Sequence, residues 1–309
     1  MPVRACTTLA LSLLLLIGCG SGGEAEGTDE DQLAEGTPTS AAVVAPGTLS
    51  TDRGESWISF DPSGQIAVFG RHNDGWGEHQ VFVSRRTADG WSGPTLAPFS
   101  GTYDDRGARL TADGGVLFYS SNRPREGQGE QALDHFDIWL TQLLPDGWGR
   151  PRPLPAPLNT LANEIHPSVA VDGTIYFASD RDGGLGRSDL YAATPGPTGY
   201  AVESLGPAVN TERSEPDVFV DPHQRFLVFA RTDDPEGYGG DDLWLSLRTE
   251  DGWSTPRNLG PEVNSSDYEY GPSLSADGRT LFFTSHRDGD ADLFEIDAER
   301  VGIPVYDND

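Results

Sequence analysis

The chain has 309 residues, with 49 acidic and 21 basic side chains, and every basic one is arginine. A net charge of −28 excludes a nucleic-acid-binding surface, which needs clustered cations. The absence of lysine excludes a Schiff-base or phosphate-loop lysine, and 9% aromatic content with regular apolar runs excludes whole-chain disorder.

Arg4 precedes an apolar run from Ala5 to Ile17, too short to span a bilayer. It ends Leu16-Ile17-Gly18-Cys19, which resembles the lipobox of bacterial lipoproteins. That resemblance implies removal of residues 1–18 and lipid attachment at Cys19; several acyl chains anchor far more firmly than one. Gly20, rather than Asp, after the cysteine implies an outer-membrane address. The alternative is an ordinary secretory signal with an incidental cysteine. Cys6 falls in the removed segment, so the mature chain forms no internal disulfide. Residues 19–40 lack aromatics and carry Glu24, Glu26, Asp29, Glu30, Asp31 and Glu35 among Gly, Ser and Thr, which reads as a disordered acidic tether. Its r.m.s. reach is roughly 25 Å. The folded part is expected over 41–309.

Internal repetition dominates the rest. One unit reads clearly at 163–210: Asn163-Glu164, a short run to Val171, the turn pair Asp172-Gly173, a β-rich run to Ser179, a loop, a run from Asp189, and a fourth from Gly199-Tyr200. The aromatic of the second run recurs as Phe69, Tyr119, Phe177, Phe229 and Phe283. That of the third recurs as Phe82, Trp139, Tyr191, Trp244 and Phe294. Two ladders with one period predict an all-β, five-bladed β-propeller of four-stranded antiparallel blades, because one small sheet cannot bury both faces alone and ring closure protects the edges. The recurring aromatics are expected as wedges between blades.

The fifth unit lacks its Gly-Trp strand, whereas Val44-Ala45-Pro46 and Leu49-Ser50 echo Leu96-Ala97-Pro98 and Leu259-Gly260-Pro261. Residues 41–45 are therefore expected as the outer strand of the last blade. Two alternatives are a strand from Val301–Tyr306 and an irregular sixth blade.

The stretch Ser273 to Arg287, with Asp277-Gly278, Phe283 and Ser285, resembles the Pro-Asp variant of the tryptophan–aspartate repeat, the TolB-like β-propeller. Asp113–Arg123 and Asp172–Arg181 carry the same pattern. The wider pattern is similar to propellers found beside OmpA-like peptidoglycan-binding domains. No OmpA-like pattern follows, so peptidoglycan binding is not carried over. The first and fourth units depart, reading Phe69-Gly70-Arg71 and Phe229-Ala230-Arg231, with arginine two places early.

Arg123 with Asp137, Arg181 with Asp189, and Arg287 with Asp292 repeat across one loop of the unit and are expected as structural ion pairs; the alternative is an anion site. Asp288, Asp290 and Asp292 resemble the start of a calcium loop, but Leu293 stands where an EF-hand wants glycine, so calcium is an alternative to a solvated loop and no cofactor is expected. Strand alternation sends the tight turns to one face and the longer loops and links to the other. Asp105, Glu164, Glu215 and Glu269 should begin the innermost strands, and His72, His166 and His286 should join them on the long-loop face. These seven residues form the candidate ligand-binding face. No G-x-S-x-G elbow or H-E-x-x-H spacing occurs, so no catalytic or metal-ligating residue is assigned. The expectation is a monomeric, lipid-anchored, non-enzymatic module of the cell envelope that binds a protein or polymer. It touches membrane only through its lipid and binds no nucleic acid. The alternative is a glycan-acting or metal-dependent enzyme using the mouth carboxylates, whose chemistry needs two free carboxyls.

Overall fold

Short apolar runs bounded by tight turns, such as Asp172-Gly173 and Gly252-Trp253, form antiparallel strands in every repeat. The computed structural model describes residues 40–72, 78–145 and 147–306. The expected leader, Cys19 and the tether through residue 39 lie outside the described residues.

Five antiparallel sheets form the five blades of a β-propeller. The innermost strands are Glu55–Phe60, Asp105–Leu110, Glu164–Val169, Asp217–Val220 and Glu269–Leu274. The second strands carry the first aromatic ladder and the third strands the other, in direct register: Phe69 faces Phe82, and Phe283 faces Phe294. In three blades the outer strand breaks into two pieces, as in Gly90–Trp91 and Thr95–Leu96. Pro94, Pro151 and Pro256 stand at those breaks, where a residue without N–H is tolerated only on an edge. The blade at Gly199–Ser204 has no such proline and stays continuous.

Ala42–Val43 pairs with Asp292–Asp297, so the N-terminal segment supplies the outer strand of the last blade. The rival segment from Val301 is not a strand. Val301 and Ile303 instead pack, buried, into the seam between the fourth and fifth blades.

Five buried clusters fill the five seams between neighbouring blades. Phe69, Tyr119, Phe177, Phe229 and Phe283 are all 0% exposed, as wedges should be. Burying each such ring stabilises the fold by roughly 1.5–3 kcal/mol, which is why single blades hold together only as a ring.

Candidate functional site

The innermost strands bring equivalent positions of all blades to the axis. Four of these strands open on an acid, Glu55, Asp105, Glu164 and Glu269, and in the fourth blade Glu215 takes the equivalent place two residues before the strand; all five are 0% exposed. Each is held by hydroxyls of the preceding link. Thr160, Thr211 and Ser265 give both N–H and O–H to their glutamate, Thr51 does so to Glu55, and Ser100 gives O–H to Asp105. Each also meets an arginine of its own blade: Arg71 at 2.7 Å, Arg123 at 2.7 Å, Arg181 at 3.0 Å, Arg231 at 3.0 Å and Arg287 at 3.7 Å. The arginines lie over both aromatic ladders, 4.8–5.9 Å from the ring centres. Burial raises the carboxyls of Asp105, Glu164 and Glu215, against the pull of link hydroxyls and arginines.

This ring corrects two sequence expectations. The arginines do not pair with the acids that open the third strands. They turn inward beneath the ladder rings to the innermost strand, so Arg123, Arg181 and Arg287 meet Asp105, Glu164 and Glu269. Asp137 pairs instead with Arg125 at 2.6 Å, and Asp189 accepts the N–H groups of Leu185 and Gly186, bracing the loop before it. Burial and the charges of Glu55, Asp288 and Asp290 raise the Asp292 carboxyl to about 6. Second, Asp105, Glu164, Glu215 and Glu269 face into these clamps and not into a common pocket. Glu55, the fifth member, was legible only through its Glu55-x-x-x-Ser59 spacing.

Two residues further along, each strand offers an axial position: Trp57, Gly107, His166, Asp217 and Gly271. Four of them have positive φ at a break in strand register: 54° at Trp57, 57° at Gly107, 52° at His166 and 62° at Gly271. A glycine is expected at such a bulge; tryptophan and histidine hold it at a conformational cost. The glycines make room for them. A Cβ at Gly107 would lie 2.6 Å from the His166 ring, and one at Gly271 would lie 2.9 Å from Trp57. Trp57 Nε1–H donates to Asp217 Oδ2 at 2.6 Å, and the Gly271 N–H donates to the same oxygen at 3.0 Å. The Trp57 and His166 rings lie 4.8 Å apart, and His166 Nδ1 sits 2.7 Å from the Pro216 carbonyl oxygen. Together these side chains plug the axis. Towards the long-loop face, His79 and Tyr270 flank Trp57, while His72 and His286 pack against them in turn. The three candidate histidines therefore join one aromatic cluster, and burial lowers His166 and His286 below the usual imidazole range. Among the described residues no group of three or more His, Cys, Asp or Glu is placed to hold a metal ion.

The third axial ring is Ser59, Arg109, Ser168, Phe219 and Ser273. The serines bridge blades: Ser59 accepts the Leu110 N–H, Ser168 accepts the Val220 N–H, and Ser273 donates to the Ile58 carbonyl. Above this ring, on the tight-turn face, opens a cavity of about 510 Å³. Phe60, Val169, Phe219, Phe226 and Leu274 give it apolar walls, and all five inner hairpins contribute to its rim. Arg109 lies in its floor. The axial cavity thus lies on the face opposite the one the histidines and acids suggested.

In its architecture the chain is similar to known propellers. It resembles TolB from Acinetobacter baumannii at 11% identity and a TM-score of 0.50, over 81% of this chain and 56% of that one. It also resembles a thermostable family-43 glycoside hydrolase at 12% identity and a TM-score of 0.53, over 82% of this chain and 91% of that one. The fold is that of a β-propeller, similar to that of TolB. A putative TolB from Agrobacterium tumefaciens matches at 16% identity with a TM-score of 0.48, over 75% of this chain and 70% of that one. The chain spans little more than half the length of the Acinetobacter protein. No protein-family model matches the sequence, and no curated protein is similar to it.

Trp57, Arg109, Asp217 and Tyr270 escaped the sequence reading. Their signal was the innermost-strand repeat, an acid followed four places later by serine. Arg109 and Phe219 are the two departures from that serine, visible once the five strands are aligned.

Proposed function

We propose that the protein is an exported, lipid-anchored, non-enzymatic module of the bacterial cell envelope. Its partner, a protein or polymer, docks on the tight-turn face over the axial cavity. The observation that carries this reading is the division of labour around the axis. Every carboxylate of the acid ring is engaged by arginine or link hydroxyls, while the axial cavity of about 510 Å³ on the tight-turn face offers apolar walls and a ring of five turns. A glycosidase needs two carboxyls free to face a sugar about 5–10 Å apart. The acids expected to serve that role are bound elsewhere, which weighs against the enzyme reading. The lipobox at Leu16–Cys19 supports anchoring, and Gly20 supports the outer membrane.

The test is site-specific photo-crosslinking in cells that carry the full chain. A photoreactive residue at Val171, on the cavity rim and 60% exposed, is expected to trap one discrete partner. The same residue at Leu161, 89% exposed on a link at the opposite face, should trap none. Cys19→Ser should lose metabolic labelling with palmitate. Adducts from Leu161 alone, or turnover of a glycan by the purified chain, would overturn the reading.

A further inference from the structure

The outer edge of a blade carries a row of backbone N–H and C=O groups ready to pair with another strand, and folded proteins blunt such edges with proline, short strands or charge. Four blades are blunted. In the first, second and fourth the outer strand is cut into two-residue pieces beside Pro94, Pro151 and Pro256, and the fifth has only Ala42–Val43. The third blade is not. Its outer strand, Gly199–Ser204, runs six residues unbroken, from Gly199 opposite Gly196 to Ser204 opposite Tyr191, and carries a single charge, Glu203. The register fixes which groups point outward. The Leu205 N–H donates to the Leu190 carbonyl at 3.0 Å, so the antiparallel alternation turns the N–H and C=O of Ala201 and Glu203 inward and leaves those of Tyr200, Val202 and Ser204 on the free side. Among the described residues no other backbone group meets them. Ala201, Glu203 and Ser204 are exposed, while the Tyr200 and Val202 side chains pack at the outer end of the seam between the second and third blades.

We infer that the rim of the third blade is a docking edge for an extended segment of a partner protein, which adds to Gly199–Ser204 as an antiparallel fifth strand. This surface is separate from the axial cavity and stands whether or not a partner docks there. The chemistry of the edge names the occupant. Outward N–H and C=O groups recurring at every second residue match the repeat of an extended polypeptide. Charge favours a partner over a second copy. Two chains of net charge −28 repel, whereas a segment with a cation opposite Glu203 is attracted. Strand alternation sets the rest of the pattern. Residues opposite Tyr200 and Val202 fall on the seam face and extend its apolar surface, so they are apolar. The residue between Val202 and Ser204 lies on the other face, so the residue opposite Glu203 is basic.

The test is titration of the full chain in detergent with acetyl-Thr-Arg-Val-Thr-Val-amide, which sets arginine opposite Glu203 and valine opposite Val202 and Tyr200, read by amide hydrogen exchange at single residues. The peptide is expected to slow exchange at Tyr200, Val202 and Ser204 at least tenfold and to leave Ala201 and Glu203, already paired within the blade, unchanged. N-methylation of both valines removes donors that face the edge and should weaken binding at least tenfold. N-methylation of the arginine and the second threonine removes donors that face away and should leave binding intact. Val202→Pro gives the third blade the proline that three other blades carry. The N–H it removes takes no part in the blade, so the fold should stand while peptide binding drops at least tenfold. Should Val202→Pro fail to fold, the two methylated peptides decide the matter on the unaltered chain. Glu203→Arg should weaken this peptide and favour one with glutamate in place of arginine. Failure of the peptide to protect the three outward amides would overturn the inference, as would equal binding of the two methylated peptides. So would a dimer in sedimentation velocity that Val202→Pro dissolves, because the edge would then belong to a second copy.

Discussion

At the residue scale, the recurring device is an arginine that lies beneath two aromatic rings and reaches an acid on the axis. It explains the two repeats in which arginine comes early. Where arginine stands four places after the ladder aromatic, as Arg123, Arg181 and Arg287 do, a serine two places after the aromatic receives its Nε–H. Where arginine itself takes that earlier place, Arg71 and Arg231 donate Nε–H directly to Glu55 and Glu215. Both arrangements satisfy the same buried acid, so the spacing shifts while the contact persists. Asp292 lacks such an arginine, and its carboxyl is raised to about 6 by burial and by Glu55, Asp288 and Asp290. A raised acid favours the protonated form in the folded state. Its stabilising contribution is therefore complete below the unfolded value, near 4, and is lost as pH rises through about 6. Asp292→Asn should accordingly melt at a higher temperature than the unaltered chain at pH 7.5 and lose that advantage at pH 4. His79, His166 and His286 impose the opposite trend, because burial lowers them, but they do so in both proteins. Equal melting temperatures at pH 7.5 would refute the assignment.

At the element scale, the links between blades are clamped as firmly as the strands. Asn264 accepts the Leu243 N–H at 2.8 Å and donates to the Leu243 carbonyl at 3.0 Å, and Asn159 and Asn210 do the same for Ile138 and Leu190. Each asparagine thus completes the third strand of the blade behind it. Ser50 plays this part at the closing seam, exchanging hydrogen bonds with Leu293. Asn264 is 2% exposed, so Asn264→Ala leaves the buried Leu243 N–H unpaired, while the Leu243 carbonyl keeps the Leu259 N–H, and should cost about 1–3 kcal/mol. Denaturant titration would read this as a lowered midpoint at unchanged slope. A loss under about 0.5 kcal/mol would show that water replaces the clamp.

At the scale of the whole molecule, one short strand closes the ring. Val44 N–H donates to the Leu293 carbonyl at 2.8 Å, and its side chain enters the seam between the last blade and the first with Leu49, Ile58, Phe69 and Phe282. Proline at this position removes the donor. Val44→Pro should raise amide exchange at least tenfold in the last blade, residues 269–297, while the blades at 105–148 and 164–204 keep their protection. Uniform loosening of all five blades would mean that closure is not local to this seam. Closure also sets the axis, since Trp57 of the first blade meets Asp217 of the fourth and Gly271 of the fifth only when the ring is shut.

Read alone, the sequence predicted the five blades, the aromatic wedges and a closing strand within 41–45, and the ring then chose these over a sixth blade and a strand from Val301. All three are periodic or local features, and periodicity survives in one dimension. What the acids and arginines contact was decided by the tertiary structure. Asp137 and Asp189 lie closer along the chain to Arg123 and Arg181 than Asp105 and Glu164 do, yet the arginines fold back under the rings to the axis. The location of the cavity, and the presence of Arg109 in its floor, likewise needed the ring. A site built from one residue per blade exists only after five strands, each about fifty residues apart in sequence, converge within a few ångströms of a common axis.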